Sequence, residues 1–196
     1  MLIAISGSQG SGKGTCINEL VARHGYHTIA RKTSRSILEE MNVTLDDVNS
    51  NVELLKRFQE AIITRKLADD EAARELSLKT GIPAITERCF SDLAAYLVKA
   101  LAGSNEHSDY VDDYVERCTA LDRIYDHVFY VKAGHFPPVS DGVRGANKHY
   151  SRMMDLLMED MVARSLPGSH TIVYCSSVGD RVAQMEDGIR KLDTVD

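Results

Sequence analysis

At 196 residues the chain is long enough for one domain with a sizeable core. Its 43% hydrophobic and 27% charged residues, with only four prolines, describe a globular protein and exclude a disordered or fibrous one. Lys and Arg number 23 against 29 Asp and Glu, and the resulting charge of −6 argues against sequence-blind binding to a nucleic-acid backbone, which needs a cationic face.

The N-terminal run Leu2-Ile3-Ala4-Ile5 is apolar at every position, as in a strand buried on both faces. It is too short to cross a bilayer and follows no basic segment, so neither a membrane span nor a signal peptide is expected. The cysteines Cys16, Cys89, Cys118 and Cys175 stand far apart, with no metal-ligand spacing. A soluble, cytoplasmic chain with reduced thiols and no membrane partner is the expectation.

Directly after this first strand comes GSQGSGKGT, comprising Gly7, Ser8, Gln9, Gly10, Ser11, Gly12, Lys13, Gly14 and Thr15, and then a helical pattern through Ile17, Leu20 and Val21. A loop of several glycines lets successive backbone N–H groups wrap a triphosphate, and the following helix turns its positive end toward the same anion. Lys13 is spaced to reach the outer phosphates and Thr15 to offer a hydroxyl to Mg²⁺. The strict pattern has Ser or Thr immediately after the lysine; here Gly14 intervenes.

Farther along, Tyr26-His27-Thr28-Ile29-Ala30 is a weaker strand candidate, followed by Arg35 at a helix start. From Ser50 to Leu78 the spacing is helical, with Ser50 or Asn51 as cap and Glu53 in the first turn. On that helix Phe58 and Gln59 offer an aromatic face and an amide for a nucleobase, although Phe58 also fits the apolar period of Leu54, Leu55 and Ile62. The run Ile82-Pro83-Ala84-Ile85-Thr86 predicts a third strand ending in Glu87 and Arg88. In a doubly wound sheet these two side chains reach the ligand edge, where Glu87 serves as Mg²⁺ ligand or proton acceptor and Arg88 bridges donor and acceptor phosphates or holds Glu87 in place. Val128-Phe129-Tyr130-Val131 predicts a fourth strand, followed by the Pro/Gly-dense loop 133–142 and a helix from about 146 to 164. Arg144, Lys148 and Arg152 fall on one face of that segment, where Arg144 suits a lid over the transferring phosphate. Ile172-Val173-Tyr174 predicts the last strand. Strand and helix alternate throughout, which predicts an α/β fold of three layers: a parallel sheet with helices on both faces.

In order, the phosphate loop, the Gln-bearing helix, the Thr86-Glu87-Arg88 strand end, Asp141-Gly142-Val143-Arg144 and the final Asp180-Arg181-Val182 resemble the P-loop nucleoside and nucleoside-monophosphate kinases. Nicotinamide riboside kinases and phage deoxynucleotide kinases form the branch that is most similar. The resemblance implies a single domain over 1–196, with a helical acceptor-side insert at about 44–80 and a lid at about 133–152. It further implies a five-stranded parallel sheet of order 2-3-1-4-5, an ATP–Mg²⁺ donor, and adenine held near Ser176 to Arg181, with Arg35, Phe58, Gln59 and Arg88 toward the acceptor.

One departure bears on the acceptor. Where relatives acting on a hydroxyl often present a carboxylate after the second strand, this chain has Arg31-Lys32-Thr33. Cationic residues favour an acceptor that already carries phosphate, so transfer to a nucleotide or nucleoside, a deoxynucleoside monophosphate above others, is expected. Two alternatives stay open: a kinase acting on a hydroxymethylated base in phage DNA, and an NTP-dependent switch. Pairing as a homodimer is left open too.

Overall fold

The computed structural model describes residues 1–28, 34–134 and 147–194. Four parallel strands, β1 (Leu2–Ser6), β2 (Ala84–Glu87), β3 (His127–Val131) and β4 (His170–Val173), form one sheet in the order β2-β1-β3-β4. Every residue of β1 is buried, because a central parallel strand has helices over both faces. The two faces are distinct. Ile3, Ile5, Ile85, Phe129, Val131 and Val173 pack with α1 (Lys13–His24) and α8 (Val178–Asp193) through Cys16, Ile17, Leu20, Val182, Met185 and Ile189. Leu2, Ala4, Ala84, Val128 and Tyr130 point the other way, as the two-residue period of a strand requires. That second layer contains α4 (Val52–Thr80), α5 (Phe90–Leu101), α6 (Ser108–Leu121) and α7 (Lys148–Ser165), with the short α2 (Ser34–Met41) and α3 (Leu45–Ser50) against α4.

The expected fifth strand is a correction. Of Tyr26–Ala30, the described part forms a single parallel bridge, His27 beside Ala84, with His27 N–H donating to the Pro83 carbonyl at 2.9 Å. Residues 29–33 lie outside the described residues. The bridge sits on the far side of β2, so the expected order survives while the sheet has four strands among the described residues. His27 also carries polar neighbours on its edge, its ring lying 2.8 Å from the Thr80 hydroxyl.

The long helix is close to its expected range. Asn51 caps it by accepting from the Leu54 N–H at 3.0 Å, and Glu53 stands in the first turn. It ends at Gly81, whose N–H donates to the Ser77 carbonyl at 2.8 Å. Because β2 and β3 flank β1 on opposite sides, the chain changes winding direction at β1, and the carboxyl ends of all four strands open on one edge. Among the described residues no helix is long and apolar enough to cross a membrane.

Candidate active site

At that edge β1 ends in Ser6 and the glycine loop begins. Gly7 has φ 141°, and a Cβ there would lie 2.6 Å from the Val131 carbonyl oxygen and 2.9 Å from Ser11 Oγ, so only glycine fits between loop and sheet. Gly12, at φ 89°, caps α1 without a side chain, which leaves the first-turn N–H groups of the helix facing the loop. Ser8 Oγ and Ser11 Oγ are buried and have no hydrogen-bond partner among the described residues. Buried hydroxyls in that state are costly unless a ligand uses them. Gln9 is half-buried, while Gly10, Gly14 and Thr15 are exposed on the rim.

Lys13 lies inside the loop, with 6% of its surface exposed. Its ammonium donates to the Ser8 carbonyl at 3.2 Å and stands 3.5 Å from a Glu87 carboxylate oxygen. Burial, and then the neighbouring Arg88, push its pKa down to about 8 against the opposing pull of Glu87 and Asp92.

The β1–β2 register brings Glu87 beside Ile5 at the end of the sheet. Glu87 is exposed, whereas Arg88 turns back at φ 68°, a left-handed conformation rare outside glycine. The Arg88 guanidinium donates to the Gly7 carbonyl at 3.4 Å and to the Tyr96 hydroxyl at 3.2 Å, lies over the Tyr96 ring, and stands 3.7 Å from Asp92. Lys13, Glu87 and Arg88 therefore converge on one loop.

Two residues in this region have roles that sequence reasoning did not assign. Asp92, fully buried, accepts from Ser6 Oγ at 2.6 Å and faces Arg88, and burial raises its pKa. The available signal was its spacing four residues after Arg88 in the first turn of a helix. Arg181 was expected at the adenine. Instead its guanidinium is fully buried and donates to the carbonyls of Cys175 (2.6 Å), Lys132 (3.2 Å) and Ser11. The placement has a physical cause: three carbonyls from the ends of β3 and β4 and from the phosphate loop are acceptors that a five-donor side chain satisfies. Arg181 thus braces the loop.

Phe58 follows the apolar period of its helix, and Gln59 is placed inside the fold with it. Phe58 is 5% exposed within the core, and Gln59, equally buried, accepts from the Tyr114 hydroxyl at 3.0 Å. Tyr114 on α6 gives Gln59 a packing reason that the sequence did not show. Arg35 is exposed in the first turn of α2. Arg144 lies outside the described residues, while Lys148 and Arg152 are exposed near the start of α7.

A family model described as "AAA domain" matches residues 2–181. The chain belongs to this family. As a P-loop member it shares its fold with solved kinases. The deoxyadenosine kinase from M. mycoides with bound dATP is 13% identical, with a TM-score of 0.68 over 97% of this chain and 100% of that one. The same enzyme with products dCMP and a flexible dCDP gives 15% and 0.66, over 98% and 100%. The NadR protein in complex with NR gives 14% and 0.70, over all of this chain and 51% of that one. No curated protein matches the sequence. These likenesses carry the fold of this AAA-domain chain: a parallel sheet layered between helices, as in the P-loop kinases.

Proposed function

We propose that the chain is an ATP-dependent phosphotransferase carrying the γ-phosphoryl group to a nucleotide or nucleoside, with a deoxynucleoside monophosphate favoured. The single observation that supports this best is the buried Lys13 ammonium between the glycine loop and Glu87, with the Ser8 and Ser11 hydroxyls of the same loop unpartnered among the described residues. The residues present fit a magnesium-bound triphosphate: Gly7 leaves room that a Cβ would fill, and two hydroxyls lack partners among the described residues. Among the described residues there is no cluster of three metal-ligating side chains. Magnesium would accordingly take Thr15, phosphate oxygens and water, with Glu87 in reach through water.

Bound ATP supplies the phosphoryl group, and its magnesium offsets charge on the outer phosphates. The loop amides and the α1 N-terminus grip the anion, and Lys13 follows the charge that shifts as the γ-phosphoryl departs. Arg88, adjacent to the loop, bridges donor and acceptor phosphates. Glu87 takes the proton when the acceptor is a hydroxyl; a phosphate acceptor already carries its charge and needs no base. The basic segment Arg31-Lys32 favours the second case. A single domain with an acceptor side at 44–80 and a lid at 133–152 belongs to the same proposal.

Labelled ATP with Mg²⁺, offered to panels of nucleosides, monophosphates and hydroxymethylated oligonucleotides, tests it. Transfer to a monophosphate that Lys13→Ala abolishes is the expected result. Full activity in that variant, or no transfer to any acceptor, overturns it.

A further inference from the structure

An acceptor-side helix that packs by its apolar residues has no packing need for a buried cation, yet α4 buries Lys66 to 6% exposure and Asp70, one turn later, to 0%. The Lys66 ammonium donates to the backbone carbonyl of Arg88 at 2.7 Å, pairs with Asp70 at 2.9 Å, and lies 5.2 and 5.4 Å from the ring centres of Phe90 and Tyr125. Asp70 in turn accepts from the Thr86 hydroxyl at 2.6 Å and the Tyr125 hydroxyl at 2.5 Å. Thr86 precedes Glu87 in β2, and Tyr125 precedes β3. A charge pair taken out of water survives only when its remaining valences are met, and here Thr86 and Arg88, on either side of Glu87, meet them together with Tyr125.

Arg88 is the residue this arrangement constrains. Its left-handed φ turns the chain from β2 into α5, and its N–H donates to the Ile5 carbonyl at 2.9 Å. With N–H and carbonyl both fixed, the guanidinium is delivered to Gly7, Tyr96 and Asp92. We propose that Lys66 is a positioning residue: by gripping the Arg88 carbonyl it holds the turn that aims the Arg88 guanidinium at the phosphate loop, and so couples the acceptor-side helix to phosphoryl transfer. This rests on the kinase reading above. A methionine of similar length would fill the same space without holding the carbonyl.

The test compares Lys66→Met with the parent protein, each also in an Arg88→Ala background, by turnover, MgATP affinity and melting temperature. A positioning role predicts a loss of turnover of about tenfold or more when Arg88 is present and under about twofold when it is absent, because the two effects are one. An equal loss in both backgrounds, or unchanged turnover with a lowered melting temperature, overturns the proposal. Should Lys66→Met fail to fold through the carboxylate it strands, Lys66→Met/Asp70→Asn removes both charges and takes its place. A parent protein without any transfer activity would sink the kinase reading separately. In that event the ¹⁵N guanidinium resonance of Arg88, assigned with Arg88→Lys, decides: a sharp resolved signal that collapses in the Lys66 variant supports positioning, and an unchanged one refutes it.

Discussion

Replacing Lys13 with methionine separates what its ammonium costs the fold from what it does for an anion. With 6% exposure and a pKa lowered from 10.5 to about 8, first by burial and then by Arg88, the charged form is disfavoured in the native state. Between pH 8 and 10.5 the unfolded chain holds more protons than the native one, so stability rises with pH through that window, and the full cost is present below pH 8. The displacement is worth about 3 kcal/mol at pH 7, about 2 at pH 9 and less than about 1 at pH 10. Methionine forfeits the hydrogen bond to the Ser8 carbonyl, roughly 1 kcal/mol. Lys13→Met is therefore expected to stabilise the ligand-free protein by about 2 kcal/mol at pH 7, a rise of about 4–8 °C in Tm for a chain of this size. By pH 10 the advantage should vanish, while calorimetry at pH 7 detects no MgATP binding by the variant. Urea unfolding followed by circular dichroism at pH 7, 9 and 10 measures the gap. A variant less stable than its parent at pH 7, or a gap that ignores pH, would refute the reasoning.

Three further substitutions probe separate links. Glu87→Gln should lower turnover by about tenfold or more with MgATP affinity changed by less than about threefold; equal losses would move Glu87 from chemistry to binding. Arg181→Met should weaken MgATP binding at least about tenfold, because three carbonyls lose their donor and the phosphate loop loses its brace. Unaltered affinity in calorimetry would return Arg181 to a purely structural role. Gly188→Ala puts a methyl 2.7 Å from Phe129 Cζ, on a ring that is fully buried. The overpacking, about 1–3 kcal/mol, should outweigh the roughly 1 kcal/mol of helix propensity gained, and a melting temperature at or above the parent's would contradict that.

What could be read without coordinates was contiguous. The phosphate loop is legible because an anion cradle is built from consecutive backbone N–H groups, so its glycines and Lys13 stand within nine residues of sequence. The buried strands are legible because a parallel strand covered on both faces admits apolar residues at every position. The capped long helix is legible because its start and its period are local signals.

Contacts between distant segments were not legible. Nothing near Arg181 in the chain says that Ser11, 170 residues away, will present it a carbonyl. Gln59 suited a nucleobase until α6 brought Tyr114 against it. No neighbour in the chain marks Lys66, and only packing of the long helix beside β2 gives it the Arg88 carbonyl. The second strand shrank to a bridge on β2 among the described residues. Sequence thus determined the groups whose partners are their own neighbours, and tertiary structure decided every polar group whose partner lies across the fold, because a buried donor must find its acceptor wherever folding delivers one.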